Sequence, residues 1–70
     1  MITLELMFVD TYQFTDKKSK ENISCARFID TNTLTIFYVK DLNKSLEVGK
    51  RYVCILEING KELKVKEVKV

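Results

Sequence analysis

The residues of this chain that are able to do chemistry are rings and cations. Four phenylalanines and three tyrosines are interleaved with 12 lysines and arginines. Aromatic faces beside cations stack on nucleobases and neutralise phosphates, with little need for a particular base. Nucleophilic and acid–base chemistry has poorer material. Histidine is absent, which removes the commonest general base and the commonest metal ligand together. With only two glycines there is no glycine-rich phosphate loop. Asp10 and Asp30 can be written down as a carboxylate pair, but ten acids in a small chain form many such pairs on paper. Nothing completes the set of roles that an active site must fill. The reading is a protein that is not an enzyme, with no cofactor and no metal.

The rings divide by position. Phe8 continues the apolar alternation of Leu4 and Leu6 and reads as core. Phe37 and Tyr38 are neighbours, so in a strand their rings point to opposite faces and one lies outside. Tyr12, Phe14, Phe28, Phe37, Tyr38 and Tyr52 are too many for one small interior. An outward ring serves either bases or a dimer seam, since both want Tyr and Phe. Tyr12 and Tyr38 favour bases, because a phenol tolerates both water and a stacked ring. Tyr12, Phe14 and Tyr38 are therefore the expected stacking residues, and Lys17, Lys18, Lys20, Arg27 and Lys50 are expected to meet phosphates. Lys61, Lys64, Lys66 and Lys69 read instead as edge-strand lysines that discourage unwanted strand pairing. The alternative function is a small interaction module or regulatory subunit that docks through the same outward rings.

Strands must position these groups. Seventy residues make one domain, 1–70, and 46% hydrophobic with 31% charged residues is a globular balance. Ile2, Leu4, Leu6 and Phe8 alternate with period two, and Tyr12 and Phe14 resume after a break that predicts a bend or bulge near Asp10–Thr11. The polar run 15–22 reads as an exposed hairpin tip. Strands follow over 23–30 and 34–39, with a turn cluster at 30–33. Residues 40–50 leave room for one or two helical turns at most. Residues 51–58 form a fourth strand. Asn59-Gly60 then predicts a two-residue type I′ turn. The last strand, 61–70, changes parity and predicts a bulge near Lys66–Glu67. Cys25 and Cys54 both sit in apolar runs and are expected to be buried and unpaired.

Five short strands are too few for a two-sheet sandwich of immunoglobulin size. They suit an all-β, five-stranded OB-fold-like barrel, in which a long bent first strand serves both halves. On this plan the chain resembles the small single-stranded-DNA-binding proteins of filamentous phages and related mobile elements. The resemblance is carried by the strand from Met1 into the basic hairpin Gln13-Phe14-Thr15-Asp16-Lys17-Lys18-Ser19-Lys20. It continues in Leu46-Glu47-Val48-Gly49-Lys50-Arg51-Tyr52 before the final hairpin. It implies a dimer that coats single strands during replication or transfer, with Lys17, Lys18 and Lys20 on a basic wing. It also implies that Arg27 and Phe28 on the next strand contribute to the site. Departures from the family pattern are a wing without arginine and a net charge of only +2. DNA is favoured over RNA as the partner, although only a 2′-hydroxyl contact separates the two. A core of this size rarely supplies more than ~3–5 kcal/mol, which also favours self-association. Neither a membrane span nor a basic signal-peptide leader is legible, so a cytoplasmic location is expected.

Overall fold

The computed structural model describes all residues 1–70. It contains five strands and no helix: β1 (Ile2–Thr15), β2 (Asn22–Asp30), β3 (Thr35–Lys40), β4 (Arg51–Asn59) and β5 (Glu62–Lys69). They form one antiparallel sheet in the order β3-β2-β1-β4-β5. β1 is the spine. Its first half, from Ile2 to Met7, pairs with β4, and its second half, from Met7 to Thr15, pairs with β2. Fourteen straight residues would extend about 43 Å, more than the 35 Å longest dimension of the molecule. The strand therefore has to bend.

The bend comes from one extra residue. Phe8 pairs with Phe28 and Asp10 with Arg27, leaving Val9 unmatched as a β-bulge. Because residues directly opposite share a face, Leu6 and Phe8 point inward, whereas Asp10, Tyr12 and Phe14 point outward. Strict alternation would have kept all five on one side. β5 carries a second bulge, where Ile55 pairs with Glu67 and Leu56 with Val65, so Lys66 is the extra residue. It brings both Val65 and Val68 to the inner face, as the change of parity in that strand predicts.

Leu6, Phe8, Ala26, Phe28, Phe37, Tyr52, Cys54, Leu56 and Val68 make up the buried cluster. Phe8 and Phe28 meet with ring centroids 5.4 Å apart and planes tilted by 58°. No helix forms over 41–50, and this segment instead crosses from β3 to β4 and closes one end of the interior. Leu42 and Leu46 pack on the core. The Tyr52 hydroxyl accepts a hydrogen bond from the Glu47 N–H at 2.9 Å, and Lys44 Nζ donates to the Val68 carbonyl at 2.6 Å.

Two expectations are corrected. The barrel does not close, since β3 and β5 approach one another but no hydrogen-bonded ladder joins them. An open groove of about 740 Å³ lies between Thr35–Lys40 and residues 62–66. The last hairpin also turns one residue later than expected. Asn59 pairs with Glu62, so the two turn residues are Gly60 and Lys61. Only Gly60 has positive φ, +68°. That is the type II′ pattern, with glycine first, rather than type I′ at Asn59-Gly60.

The other two hairpins share a single design. In both, an aspartate opens the loop, and its carbonyl accepts the N–H four residues on: Lys20 to Asp16 at 2.8 Å and Leu34 to Asp30 at 2.7 Å. The aspartate side chain also accepts the N–H two residues on, from Lys18 and from Asn32, each at 2.9 Å. A hydroxyl at the fourth position, Ser19 or Thr33, accepts the N–H two residues later at 3.4 Å. The fifth residue takes the left-handed conformation, with φ 59° at Lys20 and 61° at Leu34. The Asp-x-x-Ser/Thr pattern encodes this loop twice, because each short side chain bonds its own backbone.

Candidate functional site

The outer face of β1, β2 and β3 carries the chemistry in rows set by register. Asp10, Arg27 and Tyr38 lie side by side across the three strands, followed by Tyr12, Cys25 and Lys40, and then by Phe14 opposite Ile23. Tyr12 is 39% exposed, Phe14 36% and Tyr38 57%. The rings of Tyr12 and Phe14 are 6.1 Å apart and tilted by 36°, within the range of an aromatic pair. Phe37, the neighbour of Tyr38, faces inward and is buried. The opposite fates of these adjacent rings follow from strand alternation.

Arg27 is the hub of this face. Its Nε donates to Asp10 Oδ1 at 2.6 Å, and its Nη2 donates to Oδ2, giving a two-pronged ion pair. The guanidinium carbon also stands 5.4 Å from the centre of the Tyr12 ring, a cation–π distance. The hydrogen bond from Arg27 holds the Asp10 carboxyl below its usual pKa, and the same bond raises that of Arg27. The neighbouring Cys25 thiol, and then desolvation, push the Tyr12 phenol up.

Lys17, Lys18 and Lys20 occupy the β1–β2 loop, which begins directly after the strand end bearing Phe14. All three are exposed and none forms an ion pair. Asp16, which on paper offsets their charge, is engaged by its own turn. The structure thus brings Tyr12, Phe14, Arg27 and Tyr38 onto one face, with the three loop lysines at its end. Two expected members lie elsewhere. Lys50 precedes β4 and places its Nζ 5.6 Å from the Tyr52 ring, and its carbonyl takes the Phe8 N–H at 2.9 Å, in line with the inward-facing side of β1. Phe28, which the family resemblance set beside Arg27, is fully buried in the core. Adjacent strand residues alternate faces, so Arg27 and Phe28 could not both serve the same surface.

Lys40 was missed by sequence reasoning although it belongs to this face. It is exposed, unpaired and two residues beyond Tyr38 on the same side of β3. Strand parity alone would have found it. Ile36 and Ile29 extend the face on the other side of Tyr38, and Ile36 is exposed. Cys25 lies beneath this surface and Cys54 in the core, both buried and unpaired, as their apolar surroundings predict. Burial pushes the Cys54 thiol up. No group of histidine, cysteine or acidic side chains is arranged to hold a metal ion. No helix is long and apolar enough to cross a membrane.

Set against family models, curated proteins and solved structures, the chain matches none of them.

Proposed function

We propose that this protein binds single-stranded nucleic acid, DNA in preference to RNA, without strong sequence preference. It would coat a replication or transfer intermediate and catalyse nothing. One observation carries the reading: Tyr12, Phe14 and Tyr38, distant in sequence, lie on one exposed sheet face that ends at the unpaired lysines of the β1–β2 loop. Rings stack on successive bases while Lys17, Lys18, Lys20 and Lys40 neutralise the backbone. OB-fold proteins bind oligonucleotides with the face of strands two and three and the adjoining loops, and the same region is used here.

The working form is a dimer in the cytoplasm. The single chain exposes 5373 Å², against about 4,500 Å² for a compact monomer of its mass. The excess is close to the ~800 Å² that each partner buries in an interface of ordinary size.

The test is a titration with oligo(dT), oligo(U) and duplex DNA at two salt concentrations. Tight binding to oligo(dT), weaker binding to oligo(U) and weakest binding to duplex is the expected order. The exposed Ile36 beside Tyr38 favours a second reading, a docking face for another protein. Absence of any oligo(dT) binding at low salt would transfer the assignment to that reading.

A further inference from the structure

We infer that Asp10 is a positioning residue that keeps Arg27 off the phosphates and commits it to the Tyr12 ring. The inference deepens the single-strand-binding reading and rests on it. An arginine on a nucleic-acid face ordinarily meets a phosphate through its planar fork of donors. Here one edge of the fork is already engaged, because Nε and Nη2 both donate to the two oxygens of Asp10, whose charge also balances that of the guanidinium. The carboxylate occupies the place that a phosphate would take.

The guanidinium lies against one ring and beside the strand position of another. Tyr12 lies 5.4 Å away, and Tyr38 is directly opposite on β3. With its charge balanced and its plane fixed, Arg27 steadies Tyr12 and leaves the middle of the face electrically neutral. The free cations sit at its borders, Lys17, Lys18 and Lys20 at one end and Lys40 on β3. Bases are then received in the centre and phosphates at the margins. The Val9 bulge makes this possible, since if Val9 itself paired with Arg27 the next residue, Asp10, would pair one place further on and point into the core.

The consequence separates Arg27 from the lysines. A cation that meets a phosphate contributes to the salt dependence of binding, at about 0.7 in the slope of log K against log salt per contact on a single strand. Arg27 in its native pairing contributes nothing to that slope. Asp10→Asn keeps the side-chain shape but releases the guanidinium for a phosphate.

The experiment titrates wild type, Asp10→Asn and Arg27→Met with oligo(dT) from 50 to 200 mM salt, with a thermal melt of each variant. Asp10→Asn is expected to bind several-fold tighter at 50 mM, with a slope steeper by about 0.7. Its advantage should shrink roughly 2.5-fold by 200 mM. Arg27→Met is expected to bind more weakly with the wild-type slope. A flatter slope for Arg27→Met, or an unchanged slope for Asp10→Asn, overturns the inference while leaving single-strand binding intact. If Asp10→Asn does not fold, the slope of Arg27→Met decides alone. Failure of the wild type to bind at all refutes the functional reading itself, and this inference falls with it.

Discussion

Phe8 and Tyr12 lie four residues apart on one strand, share the same parity and face opposite sides of the sheet. Phe8 packs on Phe28 in the core, whereas Tyr12 stands beside Phe14 on the outside. The unmatched Val9 between them is the cause. One residue thus separates the interior from the outer face that carries the rings and lets a single strand supply both.

Deleting Val9 should therefore do more than remove one apolar side chain. It joins Phe8 directly to Asp10, so plain alternation keeps Phe8 opposite Phe28 and Asp10 opposite Arg27, and what is lost is the local bend. Both faces survive, but the two halves of β1 straighten and the core they share packs less well. The expected result is a cooperative thermal transition at a lower melting temperature by circular dichroism. A deletion variant that melts at the wild-type temperature would refute the role given to the bulge.

The rings and the lysines should leave different marks on binding. Tyr12→Ala, Phe14→Ala and Tyr38→Ala each remove a stacked base worth about 1–3 kcal/mol, or roughly 5- to 150-fold in affinity for oligo(dT). Their salt dependence should stay as in wild type. Lys17→Ala, Lys18→Ala, Lys20→Ala and Lys40→Ala should each cost less and flatten the slope by about 0.7. Lys50→Ala should change neither, because Lys50 lies against Tyr52 away from the face.

Turn chemistry gives a test independent of function. Gly60→Ala should destabilise by about 1 kcal/mol, since Gly60 holds φ +68° and a side chain there is strained. Asn59→Ala should be within about 0.5 kcal/mol of wild type, because Asn59 has ordinary strand geometry. A type I′ turn at Asn59-Gly60 would make both substitutions costly. Thermal melts of the two variants distinguish the turns.

Leu34 is 72% exposed and left-handed at φ 61°. Leu34→Gly removes about 1–2 kcal/mol of backbone strain and adds somewhat less in unfolded-chain entropy. A net gain of about 0.5–1 kcal/mol is expected, which raises the melting temperature by roughly 2–8 °C in a domain of this size. A lower melting temperature would show that the Leu34 side chain has a stabilising contact that outweighs its strain.

Cys54 predicts a pH effect. Burial raises the folded-state pKa of its thiol above the ordinary value of 9.0. The associated stability is complete below that ordinary value and is lost as pH rises from there through the folded-state pKa. The melting temperature should fall on the alkaline side of 9.0, and Cys54→Ala should flatten that fall at the cost of some core packing. Under denaturing, non-reducing conditions the chain should titrate two free thiols, whereas in the folded state both should react slowly.

Much of this architecture is legible in the residues because β-sheets encode themselves with period two. Ile2, Leu4, Leu6 and Phe8 announce the inner face, and the change of parity across Val65 and Val68 announces a bulge. The outward position of Tyr38 follows from the burial of Phe37. The repeated Asp-x-x-Ser/Thr loop is equally local, since its bonds lie within six residues.

What the sequence by itself determined is five strands, two breaks in register, buried thiols and a supply of rings and cations. Tertiary structure decided which of those groups meet. The exact seat of the first bulge, one residue ahead of the expected bend, depends on pairing with β2 and not on β1 alone. The bond between Asp10 and Arg27 joins residues 17 apart, and that from Lys44 to the Val68 carbonyl joins residues 24 apart. The opening between β3 and β5 depends on how far the whole sheet curls. Local periodicity specifies the face on which a side chain emerges, but the partners it finds there are set by strand order and register across the sheet.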